Sequence, residues 1–209
     1  MLTEQLVRVA GLEGNLTFPE GARGIVLFAH GSGSSRHSSR NRFVAAELQR
    51  HGLATLLIDL LTPEEEEIDL KTRRLRFDIG LLAGRLVTTT DWLTHEPDTR
   101  DLKIGYFGAS TGAAAALLAA AERPESVGAV VSRGGRPDLA GAALSSVKAP
   151  TLLIVGGDDR PVIGMNQEAL ALLRVEKKLA VVPGASHLFE EPGALEEVAR
   201  LAGDWFARL

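Results

Sequence analysis

The stretch Gly105-Tyr106-Phe107-Gly108-Ala109-Ser110-Thr111-Gly112-Ala113-Ala114-Ala115-Ala116 passes from an apolar run into an alanine-rich one through a Gly-x-Ser-x-Gly pattern. A short buried strand followed by a tightly packed helix accounts for that order, and the turn between them needs small neighbours. Gly108 and Gly112 let the two elements pass closely, and Ala113–Ala116 hold the helix against a sheet. A serine on such a turn projects its oxygen from a rigid support in a strained backbone conformation. It also stands at a helix N-terminus, where free N–H groups and the helix dipole favour negative charge. Ser110 therefore reads either as a nucleophile or as a helix cap between two glycines, and its context favours the nucleophile.

Outward from this stretch the chain repeats the same alternation. Apolar runs recur at Ile25–Ala29, Ala54–Ile58, Val127–Val131, Leu152–Val155 and Leu179–Val182, short, often β-branched and bounded by Gly, Asp or Pro. Such runs suit strands buried on both faces. Helical patterns lie between them at Arg42–Arg50, Leu75–Leu93, Ala113–Glu122, Gln167–Leu173 and Ala194–Leu209. Residues 4–18 alternate apolar and polar, which predicts a leading antiparallel hairpin. The expected architecture is one α/β domain over residues 1–209, a mostly parallel sheet with helices on both faces. Between Gly134 and Pro150 there is room for a short helix but not for a cap domain.

Composition narrows the function classes. The chain has 209 residues, 45% of them hydrophobic, a formal net charge of −4 and no cysteine. The charge gives no electrostatic support to nucleic-acid binding, so a small-molecule partner is expected. Without cysteine there is no disulfide framework, thiolate nucleophile or Cys-ligated metal. The first residues lack a basic and an apolar region of the signal-peptide type, and no apolar run is long enough to span a bilayer. A cytoplasmic location is expected, with no membrane or nucleic-acid partner.

In an open parallel sheet, function gathers at the carboxyl ends of the strands. Ser110 needs a base, and the base needs an acid to orient it. His51 and His95 end helices, His37 lies in a polar loop, and His30 follows a buried strand in a loop-shaping position. His187, in the loop after the last strand, is the expected base. For the acid, Asp158 and Asp159 both follow a strand that precedes the histidine; Asp159 is favoured, with Asp158 left to cap the next helix. The oxyanion needs a second N–H besides that of Thr111, and His30-Gly31-Ser32-Gly33 supplies it, with Ser32 preferred to Gly31. Arg133 and Arg36 are expected to bind a substrate carboxylate, Arg136 and Arg40 lying close by in sequence; the competing reading is ion pairs that support loops.

Other classes fit less well. A dinucleotide-binding unit would need a third glycine at Arg36, and no Gly-x-x-x-x-Gly-Lys-[Ser/Thr] motif is present. Glu64–Glu67, followed by Lys71, Arg73 and Arg74, reads as a solvated, mutually compensating loop rather than a cation site. No metal or other cofactor is expected.

His30-Gly31-Ser32-Gly33, Gly108-x-Ser110-x-Gly112, Gly156-x-x-Asp159-x-x-Val162 and Gly184-x-Ser186-His187 together resemble the α/β-hydrolase superfamily, above all its small dienelactone-hydrolase-related members. The segments "VVSRGGRPDL" and "LRFDIGLLAGRL" also resemble that group. The resemblance implies hydrolysis of small carboxylic esters through an acyl-enzyme, with thioesterase, lactonase or acyl transferase chemistry open to the same site. Dienelactone hydrolases proper use a Cys nucleophile, where this chain has Ser110. A ligand-binding protein on the same scaffold is the alternative of another class.

Overall fold

Alternate residues of β3 (Gly24–Ala29) face opposite sides of a sheet, and all of them are buried. Ile25, Leu27 and Ala29 pack into one core with α3 (Ile79–Leu93), α4 (Thr111–Glu122) and α5 (Arg160–Leu172). Val26 and Phe28 pack into a second core with α1 (Ser39–Arg50) and α6 (Ala194–Phe206). A strand that is apolar on both faces is thus explained by helices on both faces. The computed structural model describes residues 2–209.

The other strands are β1 (Leu2–Val9), β2 (Leu12–Pro19), β4 (Leu53–Ile58), β5 (Lys103–Ala109), β6 (Val127–Arg133), β7 (Thr151–Gly156) and β8 (Lys177–Val182). They form one sheet in the order β1-β2-β4-β3-β5-β6-β7-β8. β1 and β2 make the expected antiparallel hairpin, and β2 joins β4 antiparallel; every pair from β4 to β8 is parallel. The chain runs from β3 to β4 on one side and then to β5 on the other. The carboxyl ends of β3 and β5 therefore flank the switch point, where such sheets open a crevice. At the far margin β8 has one neighbour and is largely open to solvent.

Three expectations are revised. Glu64–Glu67, read as a loop, lie in the helix α2 (Pro63–Thr72). Thr62 accepts a hydrogen bond from the Glu65 N–H at 3.2 Å, and Glu65 accepts one from the Thr62 N–H at 2.9 Å. This reciprocal cap, with Pro63 in the first turn and carboxylates near the positive end of the dipole, offsets the crowding of like charges. α5 starts at Arg160, seven residues before the expected Gln167. The helical pattern from Leu75 breaks into a 3-10 turn, Leu75–Phe77, and α3, whose first turn is capped by the Asp78 carboxylate at 3.0 Å from the Leu81 N–H. Between β6 and β7 lies only the short 3-10 segment Pro137–Ser146, so no cap covers the crevice from there.

Candidate active site

Ser110 sits between the last residue of β5 and the first of α4 with φ +50° and ψ −121°. A non-glycine residue in that region carries about 1–3 kcal/mol of strain and persists only where its surroundings impose it. Here they do. The Ser110 N–H donates to the Arg133 carbonyl at 3.2 Å, and the Ser110 carbonyl accepts from the N–H groups of Ala113 and Arg136, each at 3.1 Å. The side chain makes no capping bond, so the hydroxyl is left for other work.

The flanking glycines are required by contact. A Cβ on Gly112 would lie 2.3 Å from the Ala29 carbonyl oxygen and 2.5 Å from that of His30; one on Gly108 would lie 2.4 Å from Ala113 Cα. These partners are backbone and cannot rotate aside. Gly112→Ala is expected to cost about 3 kcal/mol, roughly 6–12 °C in Tm for a chain of this length. A thermal unfolding scan checks it; an unchanged Tm would show that the turn does not need the close approach.

Gly156, at the end of β7, repeats this contact with the histidine loop. Its Cβ would stand 2.3 Å from the Ala185 carbonyl oxygen and 2.5 Å from that of Ser186. The Asp158 N–H donates to the Ala185 carbonyl at 3.0 Å, and the Gly157 N–H to Val182 at 2.8 Å. So pinned, the two loops bring His187 Nδ1 to 2.6 Å from Asp159 Oδ2. The carboxylate accepts, which puts the proton on Nδ1 and leaves Nε2 with a free lone pair. Asp159 is the N-cap residue of α5 yet gives its side chain to the histidine rather than to the helix. Asp158 is exposed and, among the described residues, its carboxylate has no hydrogen bond; it does not cap the helix.

A cavity of about 220 Å³ is lined by Ser110 and His187 together with Gly31, Ser32, Arg40, Asn41 and Arg133. Larger hollows lie elsewhere, along the hairpin and α1, beside Phe18 and Pro19, and around Asp59, but none of these reaches Ser110. Arg133 is 6% exposed. Its Nη2 reaches Asn41 Oδ1 at 3.4 Å, while its Nε has no partner among the described residues. The Arg40 Nε is also buried without a partner, although its Nη1 meets Glu190 at 3.2 Å. Burial first, and the neighbouring Arg40 charge second, push the Arg133 guanidinium down to about 10, so it remains a cation at neutral pH.

Arg36 is not among the residues lining this cavity. Its backbone N–H and guanidinium bind Asp59, its Nε reaches Asn15 at 3.0 Å, and its Nη2 meets Glu13 at 2.9 Å. Arg36 thereby ties the loop after β3 to β2 and to the end of β4. His30 holds the same loop from within: Nδ1–H donates to the Gly31 carbonyl at 2.9 Å and Nε2 accepts the Leu60 N–H at 3.1 Å. Burial holds its pKa below the ordinary imidazole value, so it stays neutral with both nitrogens engaged. The Ser32 N–H donates to Thr111 Oγ1 at 2.9 Å. Arg136 is paired with Asp138 at 2.7 Å. Among the described residues no cluster of three or more His, Cys, Asp or Glu is placed to hold a metal ion, and no helix is long and apolar enough to cross a membrane.

Residues 12–208 match the model of the dienelactone hydrolase family. A crystal structure named as dienelactone hydrolase from Anabaena variabilis superposes with a TM-score of 0.97, is 70% identical, and is matched over 99% of this chain and 97% of that one. A dienelactone hydrolase-like promiscuous phosphotriesterase from metagenomic libraries, 18% identical over 100% of this chain and 98% of its own, shares the fold with a TM-score of 0.80. A Mycobacterium tuberculosis protein to which the name phosphoribosyl transferase is provisionally given is 62% identical over 206 residues, 97% of this chain and 46% of that protein. The chain thus spans about half the length of the curated relatives it matches with most of its residues.

Proposed function

The chain belongs to the dienelactone hydrolase family of α/β hydrolases, and we propose that it is a serine hydrolase that cleaves small carboxylic esters through an acyl-enzyme. One observation carries this reading: His187, oriented by Asp159 at 2.6 Å, lines the same cavity as the strained Ser110. In this reading Ser110 Oγ attacks the ester carbonyl carbon as its proton passes to His187 Nε2. The carbonyl electrons move onto oxygen, beside the Thr111 N–H at the open N-terminus of α4 and the Ser32 loop. Collapse of the tetrahedral species expels the alkoxide, which takes the proton from His187. Water then repeats the sequence and frees Ser110. Asp159 keeps the imidazole in the productive tautomer and stabilises the imidazolium.

The same site serves thioesters, lactones and acyl transfer to other nucleophiles, because the reacting atoms are alike. We place acyl chemistry, not phosphoribosyl transfer, on these residues; the relatives that carry the latter name are about twice as long. The test is an aryl alkylphosphonate followed by intact-mass analysis, alongside turnover of p-nitrophenyl acetate. One adduct on Ser110 and measurable turnover are expected. Absence of both would overturn the reading.

The substrate-binding role falls to Arg133, with Arg40 beside it. A buried guanidinium without a carboxylate partner favours an anionic substituent on the substrate. A hydrogen bond to a charged group contributes about 1.5–3 kcal/mol, or roughly 10–150-fold in affinity. Arg133→Met should therefore raise KM by that factor for an ester carrying a free carboxylate and leave a neutral ester of the same size nearly unaffected. Equal losses on both esters would assign Arg133 to loop support.

A further inference from the structure

We propose that the Thr111 hydroxyl is itself an oxyanion donor and that Ser32 acts through it, a role that rests on the acyl-enzyme reading above. The main-chain N–H of Ser32, the donor expected to meet the oxyanion directly, is already used: it donates to Thr111 Oγ1 at 2.9 Å. That bond takes one lone pair of the hydroxyl and leaves its proton. A threonine within a helix returns this proton to the carbonyl four residues back. Thr111 is the first residue of α4, and among the described residues its O–H has no acceptor although the residue is only 5% exposed. A buried donor without an acceptor carries a desolvation penalty that is relieved when one arrives.

The hydroxyl is held by Ser32, a residue that lines the cavity with Ser110 and His187. Thr111 follows Ser110 directly, and the Gly31 backbone passes so close that a Cβ there would stand 3.2 Å from Ser110 Cβ. The Thr111 hydroxyl thus lies in the seam between the loop after β3 and the nucleophile turn, beside the Thr111 N–H, which has no partner in the helix. One residue brings two donors to the same small region. The Ser32 N–H, by donating to the oxygen of that hydroxyl, polarises its O–H bond and strengthens what it donates. No proton leaves Thr111; the oxyanion is stabilised and released as the tetrahedral species forms and collapses.

The experiment compares the wild type, Thr111→Val and Thr111→Ser on p-nitrophenyl acetate, with kcat expressed per site titrated by the phosphonate so that misfolded molecules do not count. Val keeps the shape and the main-chain N–H but has no hydroxyl. Removing one oxyanion donor costs about 10²–10³-fold in kcat. Thr111→Val is expected to fall in that range with KM changed by less than about threefold, and Thr111→Ser to stay near wild type. A fully active Thr111→Val would overturn the proposal, because the freed Ser32 N–H would then be the sufficient donor. A Thr111→Ser variant as impaired as Val would also overturn it, by tracing the effect to the methyl group. A wild type that neither takes the phosphonate nor turns over the ester would instead remove the acyl-enzyme reading and this role together.

Discussion

Ser110→Ala should lower kcat on p-nitrophenyl acetate by about 10⁶-fold and abolish the phosphonate adduct, leaving only the acceleration that binding and oxyanion contacts give to attack by water. The size follows from the unit character of the site: without the hydroxyl, His187 has no serine proton to accept, and Asp159 orients a base that has no nucleophile to activate. The variant is expected to fold normally. The Ser110 side chain makes no capping bond, and the hydrogen bonds that hold the turn all use its main chain. Alanine meets the same backbone strain as serine, since both carry a Cβ. Circular dichroism and Tm should match the wild type while turnover disappears. Adduct formation at wild-type stoichiometry in Ser110→Ala would move the nucleophile elsewhere.

Asp159→Asn is the second large effect, with an expected loss of about 10⁴-fold in kcat, the value for the equivalent change in serine proteases. The present acceptor at 2.6 Å holds the proton on His187 Nδ1. An amide can turn its NH₂ group toward that nitrogen and stabilise the opposite tautomer, in which Nε2 carries the proton and cannot accept one from Ser110. The effect should sit in kcat, with Tm little changed, because Asp159 does not cap α5 through its side chain. Asp158→Asn is the control. Its exposed carboxylate has no hydrogen-bond partner among the described residues, so activity should stay within about twofold. A dead Asp158→Asn beside an active Asp159→Asn would reverse the assignment.

How much of this was legible in the sequence depended on distance along the chain. The buried strands were legible because a run of apolar β-branched residues between Gly, Asp and Pro has few other uses. The carboxyl-end loops were legible because those strands fix where they emerge. α2 was also written locally, in Thr62-Pro63-Glu64-Glu65, but four consecutive carboxylates drew the reading toward a solvated loop and hid the capping box. The early start of α5 was masked by Pro161 and Gly164, although proline is well suited to a first helical turn. The fate of the arginines was not legible. Arg136 meets its partner two residues away, but Arg36 finds Glu13 and Asn15 across the sheet from more than twenty positions off. Arg40 and Asn41, in the first turn of α1, enter the cavity only because the loop before them folds over the switch point. The contact between Ser32 and Thr111 spans 79 positions and leaves no trace in either segment.

The margin of the sheet has a consequence for how the molecule would fail. Ser110 and its glycines are anchored on β5, with strands on both sides, whereas His187 follows β8, which has one neighbour and an open face. Edges fray at a lower free energy than centres. Warming would therefore detach the imidazole while the interior is still intact: the heat at which turnover stops is a property of the rim, the heat at which the helices melt a property of the middle. A staple across β7 and β8 would lengthen the working life of the molecule without raising its melting point.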